Sequence, residues 1–127
     1  MRPTTEHMDQ DALNTLLILE PSDIDRLPWR PVPGCPGVAE KELWRFDDVV
    51  HALIRYAPGS STPGRPHPAA HHHIWVIAGA ATVAGRRIVA GSYAHIPPAR
   101  EHPIGDVGAD GCTILQMHRP HPPIEGG

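Results

Sequence analysis

Aromatic side chains are scarce in this chain: three Trp, two Tyr and one Phe make up 5% of its 127 residues. A core therefore has to be built from Val, Ile, Leu and Ala. Cysteine is scarcer still, and Cys35 and Cys112 lie so far apart that two free thiols fit better than a disulfide framework. No apolar run approaches the ~18 residues of a membrane helix. No basic stretch leading into an apolar segment opens the chain, so no signal peptide is expected. Charge of one sign is also missing: the formal net charge is −3 and the basic residues are scattered, which excludes the footprint of a nucleic-acid surface. Helical periodicity is almost absent. The expectation from these absences is a soluble cytoplasmic protein with no membrane and no nucleic-acid partner.

What the chain has instead is proline, glycine and histidine: sixteen, twelve and ten residues. Pro and Gly punctuate short segments whose apolar residues alternate with a period of two, the mark of half-buried strands. The segments run from Val38, from Val49 to Tyr56, from His72 to Ile77, from Ala81 to Val83, from Arg87 to Ala90, from Tyr93 to Ile96, after His102, and from Cys112 to Met117. Ala78-Gly79 is expected to turn between two of them, and Leu16 to Leu19 to form an added edge strand. Ser22 to Asp25 reads as an N-cap with one helical turn. The pattern predicts an all-β fold, a small antiparallel barrel or sandwich. Residues 1–14 are expected to be flexible, 15–118 to form one domain, and 119–127 to be an irregular Pro/Gly-rich tail.

Six of the ten histidines, His67, His71, His72, His73, His95 and His102, fall within one stretch of the chain. Two strand segments carrying them flank a glycine-punctuated hairpin, a layout able to bring imidazoles to one point inside a barrel. Converging neutral imidazoles are what a divalent metal needs.

Gly91, Pro97, Ala99 and His102 follow the spacing of the second motif of the cupins, which has Gly where Ala99 stands. Gly79 fits the end of the first motif; counting back from it, His72 takes the position of the family's glutamate, His67 that of its second histidine and Arg65 that of its first. Leu27-Pro28-Trp29-Arg30-Pro31, Pro36-Gly37-Val38, Lys41-Glu42-Leu43, Pro58-Gly59, Ala90-Gly91-Ser92-Tyr93, Pro97-Pro98 and Gly111-Cys112 resemble the ChrR-like cupins more specifically. These include the cupin half of a zinc-binding anti-sigma factor and enzymes that cleave acetylacetone or dihydroxyacetophenone with oxygen. The resemblance implies a single cupin jelly-roll barrel and one divalent metal ion per chain, Fe, Zn, Ni or Co, held by His67, His72 and His102.

It also implies a small-molecule substrate or ligand. The favoured function is a dioxygenase-like enzyme acting on a small, diketone-like molecule; the alternatives are a metal- or ligand-sensing module and a cupin whose metal site is vestigial. Arg55, Arg65 and His95 are the candidate substrate contacts. Arg55 has an equal claim to an outer-face role, and His95 to a place at the barrel rim or behind a ligand. At the place of the missing histidine, Arg65 would repel a metal and suit a carboxylate instead. Strand alternation turns His71 and His73 away from His72. The apolar run near the N-terminus and the outer face of such a barrel suggest a homodimer.

Overall fold

A computed structural model describes residues 13–65, 67 and 69–120. Among the described residues a short helix, α1 (Pro21–Arg26), precedes eight strands: β1 (Arg30–Pro31), β2 (Val38–Phe46), β3 (Val49–Tyr56), β4 (Ala70–Val83), β5 (Arg86–Val89), β6 (Tyr93–Ile96), β7 (Ile104–Gly105) and β8 (Cys112–Pro120). All pairings are antiparallel, in the order β1-β2-β3-β8-β4-β5, with β6 and β7 also paired to β4. The fold is all-β, as the period-two pattern predicts.

β4 organises the molecule. Its first half, from Ala70 to Gly79, pairs with β8 on one side and in part with β6 on the other. Its last residues, Ala80 to Val83, pair with β5 and β7. The expected turn at Ala78-Gly79 is instead a bend inside this single strand, where the register with β8 shifts between Val76 and Ala78. Gly79 makes the bend: its φ is +80°, and a Cβ there would lie 2.0 Å from the carbonyl oxygen of Gly111. Only glycine allows that approach.

The core lies on the concave face. Ile74 and Val76 of β4, Ile114 of β8 and Tyr56 of β3 are its largest fully buried side chains. The Tyr56 hydroxyl keeps a polar partner in the Thr62 hydroxyl at 3.1 Å, so its burial leaves no orphaned group.

Three local expectations are corrected. Leu16 to Leu19 form no strand; Leu16 is 84% exposed, and no described strand edge is paired to the run. The helix cap is Glu20 rather than Ser22, with Pro21 opening the helix and the Asp23 carboxylate accepting the Glu20 N–H at 3.0 Å. Finally, β8 continues to Pro120, past the expected start of the tail, because its pairing with β4 persists as far as Ala70↔Pro120. The expected flexible start (residues 1–12) and the end of the tail (121–127) lie outside the described residues.

Candidate metal centre

Alternation along β4 sends Ala70, His72, Ile74 and Val76 to the buried face, and His71, His73, Trp75 and Ile77 to the other. Directly paired residues of an antiparallel ladder share a face. His72 pairs with His118 on β8, His118 with Val50 on β3, and Val50 with Arg45 on β2. One row across the sheet thus carries Arg45, Val50, His118 and His72 on the concave side. His72 Nε2 lies 2.8 Å from His118 Nδ1.

His102 reaches the same place from the loop before β7. Its ring centre is 5.1 Å from that of His72, and its backbone N–H donates to the Gly64 carbonyl at 2.9 Å. His102 Nδ1 lies 3.2 Å from the Arg100 carbonyl oxygen. A carbonyl only accepts, so Nδ1 carries the proton and Nε2 keeps its lone pair free, the tautomer a metal ligand needs. His67, in the loop before β4, sets its ring 4.9 Å from that of His118. Its carbonyl also accepts the N–H of Ala99 at 3.0 Å, joining the two histidine-bearing loops.

Burial, and then the neighbouring rings of His102, His118, His67 and His71, push the pKa of His72 down to about 4. Burial likewise lowers that of His118, with His67 adding to the effect and Asp48 opposing it. Both rings are therefore neutral near neutral pH, the state in which imidazole coordinates. The hydrogen-bond partners found for these four rings are another ring or a backbone carbonyl, and none is a carboxylate. Such a nitrogen set fits a borderline divalent ion such as Fe(II), Zn(II), Ni(II) or Co(II), and suits Mg or Ca poorly.

Beside these rings opens a cavity of about 300 Å³, lined by His67, His118, Arg45, Asp48, Ala70 and Pro120, the size of a small ligand site. A larger hollow of about 950 Å³ lies elsewhere, along Cys35, Ser60, Thr62 and Asp106, and includes none of the histidines. The smaller cavity is the one in contact with the candidate chemistry.

Of the residues singled out from the sequence, His67 and His72 set their rings against His118, and His102 sets its ring against His72. His118 itself was missed, although it continues the alternation Cys112, Ile114, Gln116 along β8. Arg45 and Asp48 were missed as well. Nothing local marks them, since they reach the cavity through strand register and the β2–β3 turn. Arg55 is exposed on the opposite face of β3, with its guanidinium 4.2 Å from the centre of the Trp29 ring. The outer-face alternative is therefore the one observed. Arg65 is exposed in the loop before β4. His95 pairs with His73 on the outer face, turned away from His72. There the ligand nitrogens of His71, His73 and His95 all lie within 4.8 Å of one another, gathered closely enough to hold a metal ion. Cys35 and Cys112 are free thiols.

The model of the ChrR Cupin-like domain matches residues 21–122, most of the chain. Among solved structures, a predicted oxalate decarboxylase from Thermotoga maritima aligns with a TM-score of 0.71 at 16% identity, over 82% of this chain and 99% of its own. The polyketide cyclase RemF from Streptomyces resistomycificus aligns with a TM-score of 0.68 at 18% identity, over 85% and 89%. A cupin domain of an XRE family transcriptional regulator from Enterobacter cloacae aligns at 0.58 and 21% identity, over 69% and 99%. At these identities the likeness is one of fold. No curated protein matches the chain in sequence.

Proposed function

The chain belongs to the ChrR cupin-like domain family, and from that premise we propose that it is a mononuclear metal-dependent enzyme of the dioxygenase type, acting on a small diketone-like molecule. The observation that carries the reading is the contact of His72 Nε2 with His118 Nδ1, beside a His102 whose Nε2 lone pair is free, at the edge of a small cavity. His67, His72 and His102 are the metal ligands in this reading, and His118 is added to the set. A bound ion would supply Lewis acidity toward the paired oxygens of the substrate and a route for electrons to oxygen.

The chain's own residues do the rest. The His102–Arg100 hydrogen bond fixes one ring in its donor tautomer. The Arg45 guanidinium, on the cavity wall, orients an anionic oxygen of the substrate. The Asp48 carboxylate on the same wall accepts the proton from the carbon between the two carbonyls. Val50 and Ile96, in register with His118 and His72, make that side of the site apolar.

A second reading, a non-catalytic metal- or ligand-sensing module, is favoured by the absence of a carboxylate among the hydrogen-bond partners found for these rings. The regulator domain from Enterobacter cloacae is a fold relative that belongs to a transcriptional regulator. Oxygen uptake separates the two. Protein reconstituted with Fe(II) is expected to consume oxygen when given acetylacetone, and His102→Ala to lose that activity. Binding of the diketone with no oxygen uptake would favour the sensing module.

A further inference from the structure

The outer face of the same sheet carries a second group of histidines that the reading above does not use. His71 and His73 stand two residues apart on β4 and so point the same way. His95 lies directly opposite His73 on β6. Their ring centres form a nearly equilateral triangle with sides of 5.0, 5.1 and 5.2 Å. His71 Nδ1 and His95 Nε2 are already 3.0 Å apart, and all three ligand nitrogens fall within 4.8 Å of one another. Nitrogens bound at about 2.1 Å around a tetrahedral ion lie roughly 3.4 Å apart, so small ring rotations complete the geometry.

We propose that His71, His73 and His95 form a second metal site, taking one borderline divalent ion such as Zn(II), Ni(II) or Cu(II) on the outer face of the barrel. A neighbour holds the site in shape, as the hydroxyl of Tyr93, two residues before His95, hydrogen-bonds His73 Nδ1 and restrains that ring. Three neutral imidazoles bring no negative charge, and Arg119, paired with His71 on β8, adds a positive one. Hard ions such as Mg²⁺ and Ca²⁺, which need oxygen ligands, are therefore excluded. His95 is exposed, which leaves the remaining coordination positions to water.

The site has a mechanical consequence. β6 pairs with β4 over only four residues, and it leads through Pro97 and Pro98 to the loop that carries His102. A metal shared by β4 and β6 clips that short pairing together, outside the loop that supplies the inner histidine.

The test counts metal at equilibrium. Full-length protein stripped of metal is titrated with Zn(II) and compared with His95→Ala, His73→Ala and the double variant His72→Ala/His102→Ala, after thermal melts of the metal-free proteins show that each is folded. Both outer variants are expected to bind one equivalent fewer than the unmodified protein, and the inner double variant to keep the outer equivalent. An unchanged zinc count in His95→Ala and His73→Ala overturns the proposal. The inner double variant reports separately on the inner site, so failure of one site is not mistaken for failure of the other.

Discussion

At Ala99 the backbone adopts φ 64°, a left-handed conformation that costs a residue with a Cβ about 1 kcal/mol. The cupin motif has glycine at this position, the residue that adopts such a φ at least cost, and here Ala99 also donates its N–H to the His67 carbonyl at 3.0 Å. Ala99→Gly is accordingly expected to raise stability by up to about 1 kcal/mol, offset in part by the entropy of a freer unfolded chain. Urea denaturation of the two proteins checks this, and a lowered midpoint would contradict it. His72 makes the second residue-scale prediction. Its folded pKa is depressed to about 4, against about 6.5 in the unfolded chain. Between those values the unfolded state binds more protons, so stability rises with pH. The contribution is complete above about 6.5 and is lost as pH falls toward 4. Metal-free protein should unfold at lower urea at pH 5 than at pH 7, and His72→Ala should flatten that difference. At this scale the sequence singles out His67, His72 and His102, three of the four histidines whose rings adjoin one another. His118 escapes because the strand carrying it ends in Arg119-Pro120, a dipeptide that reads as a tail until its pairing with Ala70 and His71 is seen.

Among the elements, β4 decides most of the architecture, and its length is what local reading misses. Ala78-Gly79 resembles a turn because glycine usually ends a strand pattern. In the fold the same glycine lets one strand bend across two sets of partners, meeting the Gly111 backbone where a side chain cannot fit. Gly79→Ala combines a positive φ with a Cβ 2.0 Å from a carbonyl oxygen, and is expected to cost about 3 kcal/mol or more. Thermal unfolding measures it, and a melting temperature unchanged by the substitution would show that the bend is not built on this contact. The neighbouring strands were legible because Val49 to Tyr56 and Cys112 to Met117 alternate cleanly, burying Ala52, Ile54, Tyr56, Cys112 and Ile114. The proline-rich arm was legible only as irregular chain. Its anchor depends on tertiary contacts: Lys41 Nζ lies 4.6 Å from the centre of the Trp29 ring and donates to the Ile24 carbonyl at 2.7 Å. A lysine buried to 3% exposure follows from neither alternation nor composition.

For the whole molecule, no helix among the described residues is long and apolar enough to cross a membrane. Exposed apolar side chains remain in two places: Leu16 and Ile18 before the helix, and Trp75, Ile77, Val89 and Tyr93 on the outer face. We propose that surface of this kind pairs two copies of the chain. Light scattering at tens of micromolar protein is expected to give twice the chain mass, and a monomer mass would contradict it. Fold class was legible throughout because strand alternation and turn residues agree along nearly the whole chain. The division of the histidines between two faces was legible only through β4, where three sit side by side. The claim on which the rest depends is that the inner rings hold a metal with open coordination positions. It is tested most directly by loading metal-free protein with Fe(II) without oxygen, adding nitric oxide and recording the electron paramagnetic resonance spectrum. A high-spin ferrous-nitrosyl signal is expected in His95→Ala, which lacks the outer site, and is expected to vanish when His72→Ala or His102→Ala is added to that variant. A signal that survives in both of these combined variants, or that is already missing in His95→Ala alone, would contradict the account.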